Sequence, residues 1–272
     1  MQSFSASPRE LVASLWRNRR LAMALVEREV AGRYRGSFMG IFWSLLQPMM
    51  MLAVYTFVFS VVFQARWGTG GTSKVGFALT LFTGLVVFNI FADCLNRAPG
   101  LIVGNTNFVK RVMFPIEILP WVIMGSSLFH AAVNVLVWMV FYILIIGTPH
   151  LSAFLLPVVL LPCIMFTMGL SWMLAALGVY LRDVAQIVGV VVTALMFLSP
   201  IFYPTSSLPE SYQLLMLANP LTPSVEQARD VLMWGRQPSW TLFLAYLALG
   251  MLVAWLGFAW FQKTRKGFAD VL

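Results

Sequence analysis

Charged side chains are scarce in this chain of 272 residues: ten Asp and Glu and eighteen Lys and Arg make up 10% of it, while 60% is hydrophobic. A soluble domain carries roughly a quarter charged residues. With a mean hydropathy of +0.84, the solvent for most of the chain is lipid. No GxxxxGK[ST] phosphate loop occurs, so the chain does not bind ATP by that route. Cysteine is limited to Cys94 and Cys163, both inside apolar runs and without metal-ligand spacing; they read as small buried residues, not as a metal site or a disulfide. The apolar runs also lack a chain of acids and histidines, which disfavours a proton-driven transporter. A formal charge of +8 invites a nucleic-acid partner, but the basic residues sit mostly between apolar runs. There they set orientation and touch anionic headgroups, so no nucleic acid is expected.

What is present is a series of long charge-free runs. Residues 36–65 hold no Asp, Glu, Lys or Arg, and neither do residues 118–181. At about 1.5 Å per residue, thirty residues exceed the roughly 30 Å of a bilayer core, and sixty-four suffice for two crossings. Breaking the second run at Gly147-Thr148-Pro149-His150 gives six expected spans, at about 37–64, 75–98, 118–146, 153–180, 185–203 and 240–261. Gly36 and Gly40 form a small-xxx-small spacing that suits close helix approach, and Pro48 can bend the first span. The expected fold is an all-α integral membrane protein with six transmembrane helices. Residues 1–35 precede the spans, residues 36–262 form the membrane domain, and residues 263–272 are a tail. Fourteen basic residues fall on the side of the N-terminus and four on the other, which places both termini in the cytoplasm. Ser7, Pro8 and Glu10 form a capping box for an amphipathic basic helix carrying Leu11, Val12, Leu15 and Trp16, an interfacial helix at the membrane surface. The next stretch, to Tyr34, is less cleanly amphipathic, because Glu29 and Arg33 fall near its apolar side. A cleavable signal is not expected, since the charged region is too long and contains Glu27 and Glu29.

Polar residues inside the spans are few. Asn89, Asp93, Asn96 and Arg97 share one face of span two, where Asp93 and Arg97 at i, i+4 can satisfy one another. His130 and Asn134 suit a hydrogen-bonded pair between helices. Between spans two and three, GNTNFVKRVMFP reads as a short helix stopped by Pro115, with Phe108, Val109, Val112 and Met113 on one face and Lys110 and Arg111 on the other. Residues 204–239 are longer than a connection requires and suggest short helices dipping into the outer leaflet. Thirty-nine aromatic residues include Tyr55, Phe59 and Phe63 at four-residue spacing; most are core or interfacial anchors, and a minority would suit sliding sugar faces.

Taken in order, the run RYRGSFMGIFWSLLQPMMMLAVYTFVFSVVF, then NTNFVKRVMFPIEILP, YLRDVAQIV, LMFLSPIFYP and NPLTP resemble the permease subunits of ABC-2-type polysaccharide exporters. The O-antigen exporters are the nearest, with capsule and teichoic acid exporters related. The resemblance covers nearly the whole chain. It implies a homodimer that pairs with two copies of a separate ATP-binding subunit holding ATP and Mg, no cofactor on this chain, and no catalytic residue in it. The substrate would be a lipid-linked polysaccharide crossing the inner membrane of a bacterium, with periplasmic or outer-membrane export proteins as further candidate partners. Arg33, Tyr34 and Arg35 would close the gate helix that receives the lipid-pyrophosphate head group. Asn107, Phe108, Val109, Lys110 and Arg111 would form the coupling helix that docks on the ATPase. Residues 204–239 would supply short re-entrant helices between spans five and six. Tyr55, Phe59 and Phe88 are candidate channel-lining residues. An ABC-2 exporter of a drug or small lipid, and a membrane-embedded enzyme acting on lipid carriers through an acid such as Asp93 or His130, remain alternatives.

If the coupling reading holds, Phe108→Asp abolishes transport while leaving the chain in the membrane. Full transport by that variant, measured in cells, would count against the assignment.

Overall fold

The computed structural model describes residues 5–62, 74–109 and 114–272. Ser7, in extended conformation, accepts a hydrogen bond from the Glu10 backbone N–H at 3.2 Å, and Pro8 supplies the first helical residue of α1 (Pro8–Arg17). The reciprocal half of the capping box does not form, because the Glu10 carboxylate turns to Arg17 at 2.5 Å. Leu11 is buried, while Val12 and Trp16 stay exposed. After Asn18 the chain continues as α2 (Arg19–Tyr34).

Gly36 stands outside the helices, and Gly40 opens the 3-10 turn Gly40–Phe42 that leads into the next helix. Their φ values of 85° and 52° are left-handed, a region open to glycine, and a side chain at either position would meet nothing within 4 Å. They turn the chain from α2 into α3 (Trp43–Tyr55). α3 contains Pro48 and then winds wider, as a π-helix, over Thr56–Val62. Next come α4 (Lys74–Arg97), the short α5 (Thr106–Val109) and α6 (Leu119–Ile145). Span four is split at Leu160, between Pro157 and Pro162, into α7 (Leu156–Val159) and α8 (Leu161–Tyr180). α9 (Val184–Leu198) ends at Ser199-Pro200 and is followed by α10 (Glu210–Ala218), α11 (Leu221–Leu232), α12 (Trp240–Thr264) and α13 (Phe268–Val271). Among the described residues there is no strand. Five segments of the described residues are long and apolar enough to cross a membrane: Gly40–Phe59, Gly76–Arg97, Ile116–Ile145, Leu151–Tyr180 and Trp240–Val271. α9, with 15 residues, is a shorter apolar helix.

α4 is the central helix. Its apolar window is 83% buried, against 17% for Gly40–Phe59, so α4 is surrounded by protein while the first segment presents most of its surface outward. Around α4 stand α6, α8, α9 and α11. α8 and α12 meet along glycines: a Cβ on Gly257 would strike the Gly169 backbone, and one on Gly169 would strike the Val253 backbone. Gly178 lies as tightly against the backbone of Pro99. Where lipid tails are as apolar as the side chains, such close approach supplies the van der Waals contact that holds helices together.

α11 is buried along most of its length against α4 and α7, although its sequence is polar. Arg229 explains this. Its Nε donates to the Thr80 carbonyl at 3.1 Å, Nη1 to the Pro200 carbonyl at 2.5 Å and Nη2 to the Ile201 carbonyl at 2.8 Å. Two carbonyls of the irregular stretch that follows α9, and one of α4, are thereby satisfied inside the fold.

Replacing Gly257 with Leu forces α8 and α12 apart and destabilises the chain by about 1–3 kcal/mol or more. Gly189, whose Cβ position is open, is the control. Thermal unfolding in detergent is expected to show a lowered midpoint for Gly257→Leu and an unchanged one for Gly189→Leu.

Candidate functional site

Three helices and the end of α2 converge on a cavity of about 380 Å³. α4 contributes Phe82, Leu85, Asn89, Asp93 and Asn96, whose spacings of three and four keep them on one face. α6 brings Ser127, His130 and Asn134; α3 brings Ser44, Gln47, Met51 and Tyr55; α2 closes one end with Arg33 and Tyr34.

The charges at that end form an ordered ladder. Asp93 accepts from Arg33 Nη2 at 2.9 Å, from Arg97 Nη1 at 3.4 Å and from the Ser127 hydroxyl at 2.5 Å. Arg97 in turn pairs with Glu29. Glu29 and Arg33 are four residues apart on α2, Asp93 and Arg97 four apart on α4, and the earlier residue of one pair meets the later residue of the other. The two helices therefore run antiparallel with two acids and two bases in register, and the four charges sum to zero. Asp93 and Arg97 do pair, but as part of this larger ladder.

Beside it, His130 Nδ1 lies 2.7 Å from the Ser126 carbonyl and Nε2 lies 2.8 Å from the Tyr34 hydroxyl. A carbonyl only accepts, so Nδ1 carries the proton, Nε2 accepts, and Tyr34 donates to it. Burial pushes the Tyr34 phenol above its ordinary value, and like any phenol it is a donor at neutral pH. His130 is thus bound to α2 rather than to Asn134.

A second polar node lies near the start of α6. The buried Glu117 carboxylate accepts from Arg265 at 2.6 Å and from the Ser14 hydroxyl at 3.0 Å. Arg265 also donates to the Phe114 carbonyl at 3.2 Å, and the Trp172 indole N–H donates to the Glu117 carbonyl at 3.1 Å. Glu117 therefore joins α1 and Arg265 through its carboxylate and α8 through its backbone carbonyl, and Arg265 adds the segment after α5.

The expected coupling residues fall partly in view. Asn107 is exposed; Phe108 stacks on Phe114 with centroids 4.2 Å apart, and the Arg28 guanidinium of α2 lies 5.8 Å from the Phe108 ring. Val109 ends α5, and Lys110 and Arg111 lie outside the described residues. Of the candidate channel residues, Tyr55 lines the cavity. Phe59 stacks on Phe202 at 5.7 Å and lies 5.9 Å from Phe77, and Phe88, on α4, is buried in the core and is not part of the cavity lining. Arg35 is exposed. Sequence reasoning missed the partners of Glu29, Ser127, Glu117 and Arg229. The signal for Glu29 was present, as a charge on the apolar side of a helix.

The family model described as "ABC-2 type transporter" matches residues 20–233. The chain belongs to that family. It is a multi-pass membrane transporter component. Among curated relatives it is 29% identical over 262 residues to the O-antigen export system permease protein RfbA of Myxococcus xanthus, covering 96% of this chain and 98% of that one. It is 24% identical to the protein of the same name from Klebsiella pneumoniae, covering 93% and 95%. It is also 28% identical to the polysialic acid transport protein KpsM of Escherichia coli, covering 89% and 92%.

Arg33→Ala and Asp93→Asn each lower the unfolding midpoint in detergent, and the double variant loses less than their sum. The coupling is about 1 kcal/mol, held down by solvent because the Arg33 side chain is 36% exposed. Full additivity would mean that the pair contributes nothing in solution.

Proposed function

We propose that the chain is the membrane-spanning subunit of an ATP-driven exporter that moves lipid-linked polysaccharide across the bacterial inner membrane. The observation that carries this reading is the end-to-end match to permeases whose names specify O-antigen export and polysialic acid transport. Supporting it are the five long apolar segments with α9 as a short sixth, and the absence of a phosphate loop from the sequence. ATP and Mg belong to a separate subunit, two copies of which pair with a homodimer of this chain. Both termini are cytoplasmic, α1 lies at the membrane surface with Trp16 and Val12 toward lipid, and α10 and α11 are re-entrant.

In this reading α2 is a gate helix held to α4 by the charge ladder and to α6 by the Tyr34–His130 bond. Arg35 is exposed and available to a pyrophosphate head group. Arg33 joins it when its bond to Asp93 is exchanged for the head group. Phe108, clamped between Phe114 and Arg28, passes displacement of the coupling segment to α2, because the same helix carries Arg28, Glu29 and Arg33. Glu117 ties the base of α6 to α1 and Arg265 and gives that motion a fixed base.

Deleting the gene is expected to remove the surface polysaccharide and trap lipid-linked glycan inside the cell, and the chain is expected to co-purify with an ATPase whose turnover depends on it. Normal surface glycan in the deletion strain sinks the reading.

A further inference from the structure

Four side-chain amides face the cavity from three helices: Gln47 on α3, Asn89 and Asn96 on α4, and Asn134 on α6. Each offers two N–H donors and an acceptor oxygen. Among the described residues, none of the four makes a side-chain hydrogen bond within the chain. Asn89 is the one exposed side chain between Gly76 and Leu95, a stretch that is otherwise buried or nearly so. It sits eight residues, about 12 Å, along α4 from Arg97. An amide without a partner at that depth is unfavourable against hydrocarbon. The cavity is shaped for something polar.

Its charges and rings narrow the choice. The positive charge of Arg33 is matched by Asp93, and that of Arg97 by Asp93 and Glu29, so the intact ladder carries no net charge and an anion reaches Arg33 only by displacing Asp93. Tyr55 and Phe82 put aromatic rings into the same lining. Amides that both donate and accept, beside flat apolar faces, match a ring that carries hydroxyls on its edge and C–H groups on its faces. A volume of about 380 Å³ stands near the lower end of the roughly 300–1,000 Å³ typical of small-ligand sites, which suits one or two sugar rings and not a long polymer.

We infer that this cavity is a subsite for a single uncharged sugar unit of the lipid-linked glycan, held by the amides of Gln47, Asn89, Asn96 and Asn134 beside the end of α2. The inference rests on the exporter reading and adds a recognition step to it. A carrier bearing a sugar occupies the cavity next to Tyr34, and a bare carrier does not. The site thus reads the first sugar separately from the phosphates.

The test uses the full chain with its ATPase in lipid nanodiscs and two probes, a synthetic polyprenyl diphosphate bearing one neutral hexose and the same polyprenyl diphosphate without sugar. The wild type is expected to bind the hexose-bearing carrier about tenfold more tightly, the size of one or two net hydrogen bonds. Asn89→Leu and Asn134→Leu, close in volume, reduce that preference to twofold or less while binding the bare carrier as the wild type does, which also reports that they fold. Equal binding of the two probes by the wild type, or a full preference in both leucine variants, overturns the subsite and identifies the cavity as a water-filled crevice. A second measurement does not depend on those variants: Asn134→Cys is labelled by a water-soluble thiol reagent while the native Cys94 and Cys163 are buried. The hexose-bearing carrier slows that labelling severalfold and the bare carrier does not; equal labelling also overturns the proposal. Failure here, in a strain whose surface glycan still requires the gene, removes the subsite and leaves the exporter reading standing.

Discussion

A polar group surrounded by lipid finds its partners within the chain or not at all, and the architecture follows from how few such groups there are and where each is satisfied. Three nodes take up most of them. Arg229 closes two carbonyls of the irregular stretch that follows α9 and one on α4, and so fixes α11. Glu117 gathers α1, α8 and the end beyond α12. Asp93 draws α2 and α6 onto α4. Between these nodes the helices need only pack, and they do so where glycine lets backbones touch.

The nodes also divide the molecule by mobility. α4 is enclosed by neighbours, and moving it would disturb every packed face around it. α2 is attached through ion pairs, one phenol–imidazole bond and an apolar seam on α6, where Leu25 meets Ile118 and Val122 and Val26 lies against Gly125. The part-exposed ion pairs among these contacts are exchangeable for water or for another ion at little loss. A helix held this way at the mouth of a polar cavity is suited to a two-position role, and the enclosed α4 supplies the fixed wall.

Much of the fold was legible because charge is excluded from hydrocarbon. The reading of 75–98 met a helix at Lys74–Arg97, that of 118–146 one at Leu119–Ile145, and the turn at Gly147 stands where the charge-free run was divided. What charge counting does not record is where backbone geometry intervenes. Gly36 and Gly40 have the spacing of a helix seam, yet a left-handed φ is a property of the chain's path, and the spacing is silent about it. Arg229 shows the same limit: in sequence it is one more basic residue in an outer loop, and its function depends on carbonyls contributed by residues about thirty and about a hundred and fifty positions away. At the candidate site, the face shared by Asn89, Asp93 and Asn96 was visible from periodicity. The partners from α2, α3 and α6 were not, since nothing in a linear pattern records which helices become neighbours.

The 15 residues of α9 reach about 22 Å, against about 40 Å for the 27 of α6. The hydrocarbon layer is roughly 30 Å thick, so α9 by itself is shorter than a crossing requires. Acyl chains adapt to a short wall by tilting and thinning. Along the face where Ile187, Val190 and Phe197 point outward, the apolar surface that the protein offers to such adaptation is about 22 Å long.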